Sequence, residues 1–167
     1  MQNPRILIGW SLLLLLILNG LVMQKELLLL KGQRLLLELA PVDPRSLMQG
    51  DYMALDYALS GTIDETLIKA ASYKGHLVIE LDGNGVGRFV RFYKGETLKD
   101  QEKLLVYRRR GTRFRGRLKI ATDSFFFQEG TGKRYEQAKY GVFKLSPKGE
   151  CVLRGLAGED RKIITSG

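Results

Sequence analysis

Residues that usually carry chemistry are scarce in this chain. Cys151 is its only cysteine and His76 its only histidine, so no disulfide can close within the chain and a zinc site built from several Cys and His ligands is excluded. No metal ligand set and no cofactor fingerprint is expected. Acids are also in deficit: 18 Asp and Glu stand against 27 Lys and Arg, a formal charge of +9. A chain so basic is drawn to anionic surfaces, whether lipid headgroups, nucleic acid or an acidic partner. No repeat with a period of about 20 to 50 residues recurs, which excludes a solenoid.

Charge is absent altogether from residues 6–24, ILIGWSLLLLLILNGLVMQ. At about 1.5 Å per residue this run covers the ~30 Å hydrocarbon layer, so it reads as a transmembrane helix. Trp10 can sit at headgroup level, and Arg5 and Lys25 can snorkel to the two interfaces. The residues after the leucine run offer no small-residue cleavage site, so the segment is expected to stay as an anchor. The expected location is a bacterial inner membrane, crossed once, with the C-terminal domain outside the cytoplasm.

Two parts follow: an anchor and juxtamembrane helix over 1–32, and a soluble, basic, β-rich domain over 33–167. Lys25 to Gly32 prolongs the helix, with Gly32 as its stop. The remaining residues suffice for one domain core. Residues 34–40 form an apolar strand closed by Pro41 and Pro44. Over 51–59, Met53, Leu55, Tyr57 and Leu59 face one way and Tyr52, Ala54, Asp56 and Ala58 the other, predicting a strand. Thr62 and Glu65 match a T-x-x-E capping box, and Ile63, Leu67 and Ala70 recur at helical spacing, predicting a helix over 63–71. Three hairpins are expected: 76–81 with 86–93 around Asp82-Gly83-Asn84-Gly85, 103–108 with 113–121 around Gly111, and 142–145 with 150–156 around Ser146-Pro147-Lys148-Gly149. About eight strands result. The expected fold is mainly β, a small antiparallel barrel or sandwich with one or two short helices, preceded by one N-terminal transmembrane helix.

Two blocks of residues are denser than the rest. The first runs PVDPRSLMQGDY from Pro41; its two prolines, Gly50 and Asp51 make a stiff turn, and a rigid loop can equally present Asp43, Pro44, Arg45, Ser46, Asp51 and the tyrosines as a contact surface. Gly50-Asp51-Tyr52-Met53-Ala54-Leu55-Asp56-Tyr57 spells G-D-Y-x-x-L-x-Y. The second block, about 75 residues on, reads F-Q-E-G at Phe127-Gln128-Glu129-Gly130 and Y-x-x-A-x-Y-G at Tyr135, Ala138, Tyr140 and Gly141. The pair resembles the bacterial GDYXXLXY family of uncharacterised membrane-anchored proteins. That resemblance implies an anchored domain and no established activity, and it implies association with a polytopic membrane protein as an accessory subunit.

Three further readings follow from the residues. Ser46, with Lys69, Lys74 or Lys94 as base, is similar to the Ser-Lys pair of type I signal peptidases, although the expected sequence context around the serine is missing and a turn hydroxyl is the simpler reading. Residues 108–119 hold seven basic residues and no acid; on a strand, Arg113, Arg115, Arg117 and Lys119 share one face, opposite Phe114, Leu118 and Ile120. That face is either solvated or set against anionic lipid headgroups beside the anchor. Nucleic acid is not expected, since no helix-turn-helix, RRM or zinc pattern is present. Glu129-Gly130-Thr131-Gly132-Lys133 lacks the first glycine of a phosphate loop, and Arg134 stands where Ser or Thr is required.

Overall fold

The computed structural model describes residues 4–40, 48–49, 52–110 and 117–165. Helix α1 (Pro4–Lys31) is about 42 Å long at the usual rise. From Leu7 onward it is apolar and long enough to cross a membrane, and none of that stretch is buried in the protein. The helix continues past Lys25 and ends where the Gly32 amide bonds to the Leu28 carbonyl (2.8 Å). A side chain at position 32 would strike that carbonyl oxygen, with its Cβ only 2.5 Å away, so glycine is required at the stop.

Ten strands follow among the described residues: β1 (Gln33–Glu38), β2 (Met48–Gln49), β3 (Tyr52–Ala54), β4 (Lys74–Leu81), β5 (Gly87–Phe92), β6 (Glu102–Arg110), β7 (Arg117–Lys119), β8 (Ser124–Phe126), β9 (Tyr140–Leu145) and β10 (Cys151–Ala157). They form three sheets in the orders β1-β9-β10, β2-β3-β8 and β5-β4-β6-β7, and every ladder is antiparallel. The mainly β, antiparallel domain read from the sequence is the one observed. β1 ties the sheets together: the Leu36 amide reaches the Gly85 carbonyl, Leu39 bridges Tyr57, and the Ala40 amide bonds to the Asp56 carbonyl.

β1 explains why LLL appears where an alternating strand would show polar residues. Leu35 and Leu37 enter the main core with Leu77, Ile79, Leu105, Phe143 and Leu156. Leu36 points the other way into a second cluster with Val142 and Ala157. All three leucines are fully buried, so both faces of the strand are covered.

The hairpins form where the turn residues placed them. In the β4–β5 turn the Asp82 carboxylate accepts from the Asn84 and Val86 amides (2.8 and 2.9 Å), and Gly85 takes a φ of 81°. In the β9–β10 turn Gly149 takes 83°. The turn holding Gly111 lies outside the described residues, but β6 and β7 pair on either side of it.

Two local readings are corrected. The strand expected over 51–59 keeps its ladder only as far as Ala54 and gives way to a helical turn, α2 (Ala58–Gly61). Its alternation nevertheless holds, because the chain stays extended through Tyr57: Met53, Leu55, Tyr57 and Leu59 are all buried. The expected helix over 63–71 is shorter, α3 (Glu65–Ala70), and its N-cap is Asp64, whose carboxylate accepts from the Thr66 amide at 2.7 Å. Thr62 caps no helix start here; it is the C-cap of α2, its amide bonding to the Ala58 carbonyl and its hydroxyl donating back to the Leu59 carbonyl. A capping aspartate two residues later won the competition, and Ile68 rather than Leu67 faces the core.

Candidate functional site

The two dense blocks of the sequence meet in space. Tyr52 of β3 lies opposite Phe126 of β8, their ring centroids 5.7 Å apart. The Leu55 amide bonds to the Asp123 carbonyl (2.9 Å) just before β8. Tyr57, only 5% exposed, donates its hydroxyl to the Thr122 carbonyl at 2.6 Å and sets its ring edge-on to Phe143, with centroids 5.8 Å apart. Burial raises the Tyr57 pKa far above the ordinary phenol value, so the group stays a donor.

Gly141 gives Phe143 and Tyr57 this room. A Cβ there would stand 2.7 Å from the Phe143 ring and 3.5 Å from that of Tyr57. Its neighbour Tyr140 pairs with Glu38 on one side and Ala157 on the other. Tyr135 is buried, stacked on Phe127 at 5.4 Å and edge-on to Phe125 at 5.0 Å. Ala138 packs against the same core, and its amide returns to the Tyr135 carbonyl. Gln128, Glu129 and Gly130 are exposed on a turn in which the Thr131 amide bonds to the Gln128 carbonyl and Gly130 takes a φ of 78°. Leu55, Tyr57, Tyr135 and Gly141 therefore serve the interior, while Tyr52, Gln128 and Glu129 reach the surface.

This convergence decides the identification, because the two blocks make one structural unit. A family model described as GDYXXLXY protein matches residues 14–156. The chain belongs to the GDYXXLXY family. No curated protein and no solved structure matches it. In this GDYXXLXY chain Asp43, Pro44, Arg45, Ser46, Gly50 and Asp51 lie outside the described residues, as do Arg113 and Arg115.

The basic strand is partly neutralised. Arg117 pairs with Arg110 in the β6–β7 register. Asp123, which belongs to no motif of the sequence, accepts from both Arg110 (2.8 Å) and Lys119 (2.9 Å), and these contacts lower its pKa, Lys119 foremost. Arg109 points elsewhere and donates to the Lys69 carbonyl at the end of α3 (3.1 Å), where a cation complements the helix C-terminus. Leu118 and Ile120 are buried, as their alternation required.

Two grooves flank this segment and share Arg110, Lys119, Ile120 and Ala121. One, of about 370 Å³, reaches Asp56, Tyr57 and Ser60. The other, of about 500 Å³, reaches Lys25 on α1, Tyr73, Glu150 and Cys151. Cys151 is half-buried, and burial pushes its thiol pKa up to about 11, which leaves it neutral. Lys69, Lys74 and Lys94 are all exposed, and an amine in water is the opposite of the desolvated lysine that a Ser-Lys pair needs.

Proposed function

We propose that this GDYXXLXY protein is a non-enzymatic accessory protein of the bacterial inner membrane, anchored by α1, whose β domain outside the cytoplasm binds a polytopic membrane protein. The observation that carries this reading is the junction between helix and domain. α1 passes into β1 through a single residue, Gly32, whose carbonyl accepts from the Lys144 ammonium at 2.9 Å, and it lies against β9 and β10. Lys25 reaches across to Glu150 at 3.1 Å. An exposed pair of this kind adds little stability, but together with the other contacts it holds the domain in one orientation to the helix axis. Such a joint suits a part that must present a fixed surface at a set height above the bilayer; a tethered enzyme acting on a diffusing substrate has no need of it.

The surface most suited to contact is the β2–β3–β8 sheet. Phe126 is 73% exposed beside the half-buried Tyr52, and aromatic anchors are the side chains that interfaces favour. Photocrosslinking from position 126 in intact membranes tests the reading. The expected result is one discrete adduct with an integral membrane protein that also co-purifies with the wild-type chain, the co-purification being lost in Phe126→Ser with no change in the thermal midpoint. Adducts with lipid alone, or a chain that purifies unaccompanied with and without Phe126, would overturn it. A reporter fused at the C-terminus reads the sidedness.

A further inference from the structure

Three cations stand in one row across the four-stranded sheet. Lys74 of β4 lies opposite Arg108 of β6, and Arg108 lies opposite Lys119 of β7. Residues directly opposite in a ladder project from the same face, where like charges oppose pairing. Arg110 follows two residues on and shares that face. Among the described residues only Asp123 and Glu150 answer this group, and Glu150 is already paired with Lys25. Five cations, Lys25, Lys74, Arg108, Arg110 and Lys119, thus face two carboxylates. Neither Lys74 nor Arg108 has an ion-pair partner among the described residues.

The groove of about 500 Å³ beside this row opens towards the anchor, with Lys25 on its wall. Lys25 is the first charge after the uncharged run 6–24, which spans about 28 Å, so it marks the edge of the hydrocarbon layer. Leu27 and Leu30 remain exposed on α1 beyond it, and apolar side chains there are covered only if the interfacial zone rises around the end of the helix. The groove then lies at the level of the headgroups.

We propose that this groove binds the phosphate of an anionic phospholipid headgroup from the leaflet in which α1 ends. The Arg108 and Arg110 guanidinium forks suit two phosphate oxygens at a time, Lys25 and Lys119 add point charges from the groove wall, and Lys74 adds to the field from the end of the row, outside the lining. A bound phosphodiester relieves the like-charge row, and its acyl chains run down beside α1. The inference needs the span alone and is independent of the protein partner.

Full-length protein is reconstituted in nanodiscs of phosphatidylcholine with or without phosphatidylglycerol, and retained lipid is read by native mass spectrometry, with inorganic phosphate as a separate arm. Wild type is expected to retain phosphatidylglycerol over phosphatidylcholine, less so as salt rises. Arg108→Gln should lower that preference about fivefold, and Lys74→Gln, next in the row but outside the groove lining, by less. Arg88→Gln, whose side chain is 78% exposed on β5 outside the groove, should leave it unchanged. Equal retention by wild type and the Lys74→Gln/Arg108→Gln double variant overturns the proposal, as does an equal loss in Arg88→Gln, which would reduce the effect to net charge. Binding of inorganic phosphate with no preference between the two lipids overturns the lipid source in favour of a free phosphate. Thermal midpoints report folding, and Arg108→Gln alone decides if the double variant unfolds. Crosslinking from position 126 reads the protein partner separately, since Phe126 does not line the groove.

Discussion

Replacing Tyr57 with Phe removes one oxygen and leaves the ring in place against Phe143. That oxygen donates to the Thr122 carbonyl at 2.6 Å from a side chain only 5% exposed. A hydrogen bond of this kind contributes about 1 kcal/mol net, and a carbonyl left short of its donor adds to the loss, so Tyr57→Phe should cost about 1–2 kcal/mol. For a domain of this size the thermal midpoint should fall by roughly 4–8 °C. Tyr57→Leu also gives up the ring contact and should cost about 3 kcal/mol. Circular dichroism melts of the detergent-solubilised full chain measure both. The pH dependence gives a second reading of the same atom. Burial raises the folded pKa of Tyr57 above its ordinary 10.0, so the proton is held more tightly in the folded state. The resulting stability is fully present below about pH 10 and declines as pH rises beyond it. Tyr107 is raised in the same direction, also by burial, so Tyr57→Phe should flatten this alkaline decline without abolishing it. A Tyr57→Phe protein as stable as wild type, with an unchanged alkaline profile, would refute the claim that this hydroxyl joins the first motif to the β7–β8 connection.

Gly141→Ala should cost about 1–3 kcal/mol in the same melts, because its Cβ would sit 2.7 Å from the fully buried Phe143 ring, which has little room to retreat. Acid should unfold the domain partly through Glu102, which accepts from Arg91 and from the Lys99 amide and whose pKa is thereby lowered from 4.5 to about 2. Its contribution is present above about pH 4.5 and lost as pH falls towards 2, so Glu102→Gln should lower stability at neutral pH and flatten the acid limb of an unfolding curve. Cys151, with a pKa pushed from 9.0 up to about 11, should carry about 100-fold less thiolate near neutral pH than a free thiol. Maleimide labelling of the native chain should accordingly be slow and should accelerate on unfolding.

The elements that could be read from the sequence were those whose signal is carried by neighbours along the chain. Nineteen uncharged residues make a helix long enough to cross a bilayer, and Asp82-Gly83-Asn84-Gly85 turns the chain wherever it is placed. The alternation of Met53, Leu55, Tyr57 and Leu59 separates inside from outside, yet it reports only which way a side chain faces. Whether a ladder partner runs alongside is a separate matter, and the strand's early end at Ala54 was for that reason hidden. The helix start was misplaced because Thr62 and Asp64 are both competent caps, and packing of Ile68 chooses between them.

By itself, then, the sequence determined the long apolar helix, the basic balance, the hairpins and the two motifs of the GDYXXLXY family, since each rests on periodicity, turn chemistry or composition within a short window. Only the tertiary structure decided what those motifs do. Tyr57 finds Thr122 across 65 residues of chain, Gly141 leaves room for the rings of both Phe143 and Tyr57, and Asp123 accepts from Arg110 at the far end of β6 as well as from Lys119. The same folding sets Lys74, Arg108 and Lys119 in one row across the four-stranded sheet. Contacts between distant segments depend on register and sheet order, and no local pattern of residues encodes those.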